Sequence, residues 1–262
     1  MLPAILHEKN MIEHYYKYLP ISRLSYLKDE LIRFTQPGDL NDPFECLPKK
    51  PTVEEFNNLI NSLIPENSNT EIQKEIKAKY DSKYLDELYK TQIEKVNEDI
   101  GIFSLSKKWK SSLMWAHYTE SHKGFCVGFD SKHNFFKNYL SDDKEMFKTI
   151  IEVKYSEKRV EIPMILGQKQ DYYEPYITKS IEWKYEEEIR MLTGLKSRET
   201  FKECNPYNIY LFKVPHSAIS EIILGANIKT ENENIIRDFA EKNNVKIFKS
   251  IISKTTFAME RE

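Results

Sequence analysis

The sequence predicts an α+β fold with one mixed, largely antiparallel sheet. Three observations predict it. Short apolar and aromatic runs of strand length recur along the whole chain. Segments of helical spacing lie between them without a regular βαβ rhythm. The 262 residues include only 7 glycines, and none forms GxGxxG or GxxxxGK[ST], so a Rossmann fingerprint and a P-loop are both disfavoured.

The elements are read in order. Tyr15–Tyr18 is an aromatic strand, Ile21–Lys28 holds one or two helical turns, and Leu31–Thr35 alternates as a second strand. Pro37-Gly38 breaks that strand and opens a loop through Asn41-Asp42-Pro43-Phe44-Glu45. Pro51–Glu98 is charged and carries apolar residues at helical spacing, with a break at Pro65–Asn69; it reads as a helical insertion of two or three helices. Gly101–Ser106 is a strand, Ser111–His122 a helix that Gly124 ends, and Phe125–Phe129 a buried strand. Asn134–Leu140 is read as a helix, Phe147–Tyr155 as a strand and Asp171–Ser180 as a helix. Ile189–Leu192, Asn208–Val214 and Glu221–Leu224 are strands. Thr230–Asn243 is a helix with Ile235, Ile236, Phe239 and Ala240 on one face. Val245–Ile252 and a short Thr255–Met259 complete the strands. The chain is read as one domain, 1–262, with residues 51–98 inserted into it.

Composition narrows the function. Lys and Arg number 39 against 41 Asp and Glu, intermingled, for a net charge of -2. No global basic field draws such a protein to nucleic acid or lipid, although a local basic groove is compatible with it. Cys46, Cys126 and Cys204 are scattered and odd in number, which fits a reducing compartment rather than a disulfide framework. No signal peptide and no membrane-length apolar run is read, so the expected location is the cytoplasm.

Polar and aromatic residues cluster in three segments, which are expected to build one site. In NDPFE, Asn41, Asp42 and Pro43 are strong turn residues, with Phe44 as a core plug and Glu45 facing either the site or solvent. In Met114–His122, helical spacing puts Trp115, Tyr118 and His122 on one face. Trp115 is read as core. Tyr118 and His122 have polar tips that need partners, and their rings can stack on a flat ligand. His117 and His122 are five apart, which rejects a zinc pair of HExxH spacing. In Trp183–Met191, strand alternation puts Glu186, Glu188 and Arg190 on one face, opposite Tyr185, Ile189 and Met191. Two carboxylates beside an arginine suit acid–base or electrostatic work, or the arginine grips a phosphate; a solvated acidic edge is the plainer alternative.

These segments in combination resemble the bacterial domain-of-unknown-function family 2971. The resemblance rests on Tyr16-Lys17-Tyr18, on Phe34 to Glu45 with its NDPFE loop, and on Ser104-Leu105-Ser106. It rests equally on Met114 to Tyr118, His122-Lys123-Gly124, Trp183 to Arg190 and Ile222 to Gly225. The order of the pieces is also similar to the ADP-ribosyltransferase superfamily. That likeness implies a split, largely antiparallel sheet and NAD as substrate. It implies Glu188 and Glu186 as catalytic carboxylates, Tyr118 as the ring that stacks on nicotinamide, and Ser104 or Ser106 beside the ribose. Tyr16 or Lys17 would stand at the first-strand position, where the superfamily's usual His or Arg is replaced. Arg33, Arg190 or Lys17 would reach the pyrophosphate, with His122 nearby. A toxin or antiphage effector with an unread acceptor follows from the same likeness. Two other classes compete: a non-catalytic module that binds a nucleotide or a partner, and a Mg²⁺-dependent nuclease or hydrolase using Asp42, Glu45, Glu186 and Glu188.

Overall fold

The computed structural model describes residues 12–63, 71, 74–75, 81–138, 149–161 and 174–262. Its contacts divide the chain into two compact units: Met1–Thr35 with Ile100–Val153 and Glu182–Glu262, and Gln36–Asp99 with Lys154–Ile181.

The first unit is built on an eight-stranded sheet. In chain order its strands are β1 (His14–Leu19), β3 (Ile100–Ser106), β4 (Phe125–Asp130), β5 (Thr149–Glu152), β8 (Glu188–Gly194), β11 (Ile219–Leu224), β12 (Lys246–Ile252) and β13 (Met259–Arg261). The spatial order is β13-β12-β11-β4-β1-β3-β8-β5. Every neighbouring pair is antiparallel except β11–β12, so the sheet is mixed and largely antiparallel, as the sequence predicts. A three-stranded sheet joins β2 (Leu31–Phe34), β10 (Ile209–Lys213) and β9 (Thr200–Lys202), in the order β2-β10-β9. The parallel β11–β12 pair is explained by its connection. Between the two strands runs a 13-residue helix, Thr230–Lys242, long enough for a crossover.

Both faces of the large sheet are covered, which is why β4 and β8 are buried almost throughout rather than alternating. One face holds the main core, with Tyr15, Leu19, Phe103, Leu105, Phe125, Val127, Phe129, Ile189, Met191, Ile222 and Leu224. Ile236 and Phe239 of the 230–242 helix pack there, whereas Ile235 is 46% exposed, although the spacing put it on the same face. The other face carries Tyr16, Tyr18, Cys126 and Ile223, covered by Met114 and Trp115. Trp115 is fully buried, packs edge-on to Tyr18 at 5.3 Å, and donates its indole N–H to the Trp109 carbonyl at 2.7 Å.

The second unit contains helices Val53–Leu63 and Ser82–Asp99 and a parallel pair, β6 (Lys154–Ser156) with β7 (Thr178–Ser180). A capping box starts the first helix: Thr52 Oγ1 accepts from Glu55 N at 3.1 Å while Glu55 Oε2 accepts from Thr52 N at 2.9 Å. Asn97 ties the second helix to the Pro37–Asp39 turn, accepting from Gly38 N at 2.6 Å and from Gln36 at 3.0 Å.

Several sequence expectations are corrected. The 147–155 strand is two strands parted at Val153, β5 in the first unit and β6 in the second; Phe147 and Lys148 lie outside the described residues. The helix expected over 171–180 is four residues, Glu174–Ile177, and Thr178–Ser180 is strand; residues 171–173 lie outside the described ones. The helix expected over 134–140 is Asn134–Lys137, and residues 139–140 lie outside the described ones. The last strand is Met259–Arg261 rather than 255–259. The expected break at 65–69 lies outside the described residues. Phe44 is no core plug: it is 63% exposed, under the Arg159 guanidinium at 5.3 Å.

Lys17 is the oddity of the main core face. Its strand partner is Val127, so it points to the same side as Phe125 and Phe129 and away from Tyr16. It is half-buried, donates to the Ser104 carbonyl at 2.8 Å and lies 5.2 Å from the Phe103 ring centre. Burial pushes its ammonium down to about 8, against an opposing pull from Glu188 and Glu186. Between pH 8 and its ordinary range, the unfolded chain holds a proton that the folded protein has released. Stability therefore rises with pH across that window. Urea denaturation from pH 7 to 10.5 checks this: the rise is present in the wild type and absent in Lys17→Met.

Candidate functional site

The site grows from strand registers. Ser106 pairs with Tyr16 on one side and with Glu188 on the other, so the three stand side by side across β1, β3 and β8. Residues in register share a face, and adjacent strands lie ~4.8 Å apart. The row continues the other way, because Tyr16 pairs with Gly128 and Gly128 with Glu221. Gly128 is needed there: a Cβ would stand 2.7 Å from Glu221 Cγ and 3.0 Å from Tyr16 Cε1. The gap lets the Tyr16 hydroxyl donate to Glu221 Oε1 at 3.0 Å. Burial first, then Glu221, pushes the Tyr16 phenol above its ordinary range. Arg261 completes this end of the row, donating to Glu221 Oε1 at 2.7 Å between the rings of Trp109 and Phe248.

The other end is polar and buried. Glu188 and Arg190 lie two apart on β8, hence on one face, as alternation predicts. Their pair is bidentate: Arg190 Nε to Glu188 Oε1 at 2.8 Å and Nη2 to Oε2 at 3.0 Å. Arg190 is fully buried and Glu188 4% exposed. Glu186 reaches the site by another route. It ends a 3-10 segment, Ile181–Glu186, rather than extending the strand. Glu187 follows with φ 43, a left-handed conformation that a side chain disfavours. The kink is fastened from β3: Ser106 Oγ donates to the Glu186 carbonyl at 2.6 Å, and Lys107 N donates to the Glu187 carbonyl at 3.0 Å. Glu186 is buried, and its Oε1 accepts from the Tyr118 hydroxyl at 2.5 Å.

Tyr118 is the last residue of the Ser112–Tyr118 helix, whose Ser111 N-cap accepts from Met114 N. This helix is shorter than its spacing predicts, because Glu120, Ser121 and His122 are all left-handed, with φ 53, 58 and 66. His122 is therefore carried by a turn, not by helical spacing, and its ring lies nearly parallel to Trp115 at 6.3 Å. Burial lowers the His122 pKa, and its Nδ1 is buried with no hydrogen-bond partner among the described residues. Beside Tyr118, His117 faces the Tyr185 ring at 6.2 Å, and Trp183 lies 6.0 Å from Tyr185.

The sequence-predicted residues sort accordingly. Tyr16, Ser106 and Glu188 form the row, Arg190 and Ser104 are the next register pair on β3 and β8, and Tyr118 and Glu186 join through hydrogen bonds. Lys17 faces the opposite side of the sheet. Arg33 lies on the separate three-stranded sheet, paired with Leu211. NDPFE belongs to the second unit. There Asp42 Oδ1 accepts from Phe44 N at 2.9 Å, the expected turn bond, and Glu45 is buried 3.5 Å from Lys179. Among the described residues, no three of His, Cys, Asp and Glu come together as a metal site. The sequence reading missed Glu221 and Arg261. The available signal was Gly128 inside an apolar strand, which marks close approach of neighbours.

Residues 114–191 match the model of the family described as "Protein of unknown function (DUF2971)", in agreement with the motif resemblance over that stretch. The matched segment contains Tyr118, Glu186, Glu188 and Arg190. No curated protein and no solved structure matches the chain. Among the described residues, no helix is long and apolar enough to cross a membrane.

A buried ion pair gives a direct test of this geometry. Removing one partner strands a buried charge, which typically costs about 3–5 kcal/mol, whereas removing both costs far less. Chemical denaturation of Arg190→Met, Glu188→Gln and the double variant is expected to give a coupling energy above ~1 kcal/mol.

Proposed function

We propose that the protein is an ADP-ribosyltransferase-like enzyme that breaks the nicotinamide–ribose bond of NAD. One observation carries the reading: Tyr16, Ser106 and Glu188 form one row on three adjacent strands, and Tyr118 is tied to that row through Glu186. Ser106, Tyr118 and Glu188 are the residue types, in the chain order, that the superfamily resemblance assigns to the serine strand, the stacking ring and the catalytic carboxylate, while Tyr16 stands at the first-strand position in place of the usual His or Arg.

In this reading Arg190 fixes both oxygens of Glu188, so the carboxylate is held without a reorganisation cost during reaction. It faces the ribose and stabilises the positive charge that develops at C1′ as the C–N bond breaks. The bonding electron pair leaves with nicotinamide, whose ring lies against Tyr118. An acceptor lone pair then forms the new bond to C1′, and Glu186 receives the acceptor's proton. With water as acceptor, the products are ADP-ribose, nicotinamide and a proton. Tyr118 positions both Glu186 and the leaving ring, which is an orientation effect. Arg190 is spent on Glu188, so the pyrophosphate is left to other groups.

The test is nicotinamide release from NAD, followed by chromatography, with transfer of labelled ADP-ribose to lysate components as a second readout. Glu188→Gln is expected to slow release on the order of 10²- to 10³-fold. Glu186→Gln, which leaves the Arg190 pair intact, is expected to suppress transfer more than hydrolysis. Wild-type protein that neither binds NAD nor releases nicotinamide would sink the proposal.

A further inference from the structure

We propose that a pocket walled by the loop between β12 and β13, with Ser112 and His122, is a second ligand site, shaped for a phosphorylated ligand that carries a flat ring and has the size of a mononucleotide. The pocket has a volume of about 500 Å³, within the range of small-molecule sites. It is formed within the first unit by Ser112, His122, the strand ends Ile252 and Met259, and the loop 253–258 between β12 and β13. Glu186, Glu188 and Tyr118 do not line it, so it is separate from the carboxylate row.

Its chemistry has two halves. One half is a set of donors with no opposing carboxylate: the Lys254 ammonium, the hydroxyls of Ser112 and Thr255, and the His122 ring. Lys254 forms no ion pair among the described residues, so its charge is available to an anion. A lysine and hydroxyls in one pocket lining that contains no Asp or Glu suit a phosphate group. The other half is apolar. Phe257 is fully exposed and Ile252 is 70% exposed, both on the pocket wall. An uncovered aromatic ring at a pocket mouth is a stacking surface for a planar group, and stacking tolerates any base.

The walls are held in place before any ligand arrives. The three left-handed residues Glu120, Ser121 and His122 are unusual for side-chain-bearing residues, and such strain persists only where the surroundings enforce it. Here the surroundings do so. His122 N donates to the Trp115 carbonyl at 3.2 Å, Asn227 N donates to the His122 carbonyl at 2.9 Å, and the imidazole lies flat against Trp115. On the loop side, Ser253 Oγ accepts from Thr255 N and Thr256 N, both at 3.3 Å. Lys254 and Phe257 are thus presented by a tied loop.

The experiment is calorimetric titration of the full chain with AMP, with adenosine and with inorganic phosphate. AMP is expected to bind, and adenosine at least tenfold more weakly, since it lacks the phosphate. Lys254→Ala is expected to weaken AMP at least tenfold, and Phe257→Ala about fivefold; both side chains are exposed, so the fold is retained. Glu186→Gln is expected to leave AMP affinity unchanged, which separates this site from the proposed NAD site. The proposal is overturned if AMP fails to bind at millimolar concentration or if adenosine binds as tightly. It is equally overturned if Lys254→Ala and Phe257→Ala leave AMP affinity intact, or if Glu186→Gln abolishes it.

Discussion

The antiparallel registers of β1, β3 and β8 determine what this protein can present on one face of its sheet. A slip of one residue in any of them would send Tyr16, Ser106 or Glu188 to the apolar side and bring Tyr15, Leu105 or Ile189 out in exchange. Register is specified here by burial on both faces: a slip of β8 would drive Glu188 and Arg190 into the main core, and a slip of β1 or β3 would put Tyr16 or Ser106 there in place of Tyr15 or Leu105. Lys17 is the one basic residue that this register does commit to the core face, and the lowered proton affinity of its ammonium records the cost. The polar row is the counterpart on the other face: two carboxylates, Glu221 and Glu188, each bound by an arginine, with a tyrosine and a serine between them.

Around that row, local strain is used to bring side chains where regular structure would not. Glu187 in the left-handed region breaks the alternation between Glu186 and Glu188, so the two carboxylates approach from different elements. The run at residues 120–122 cuts the Ser112–Tyr118 helix short and folds His122 back onto Trp115. Non-glycine residues in such conformations cost roughly 1–3 kcal/mol each. Packing and hydrogen bonds offset them: Ser106 clasps the Glu186 carbonyl, and Trp115 is wholly buried beneath the turn. The Glu188–Arg190 pair is expensive to bury because both charges lose their hydration, and it is tolerated because both oxygens of the carboxylate are bound.

Much of this was legible in the sequence, and the failures have physical causes. The strands were readable where apolar residues ran in unbroken blocks, as in FCVGF and EIIL, because burial on both faces demands them. Glu188 and Arg190 were readable as face-mates because β8 is regular. Glu186 was expected on the same strand face but ends a 3-10 segment instead, since nothing in KYEEEIR announces a left-handed Glu187. His122 was read as helical because helix spacing says nothing of where a helix stops, and Gly124 lies beyond the real end. Lys17 was read as part of the site by motif, although period-two alternation from Tyr16 already sent it to the other face. Glu221 was passed over because a carboxylate at the edge of an apolar strand looks solvated until its neighbour across Gly128 is known.

In the proposed reading the nicotinamide ribose of NAD sits on the row of β1, β3 and β8. A crystal structure of the protein with a non-hydrolysable carba analogue of NAD tests it most directly. The analogue's carba-ribose is expected within hydrogen-bond distance of Glu188 and its nicotinamide ring against Tyr118. An analogue bound away from that row, or density absent at saturating concentration, would contradict it.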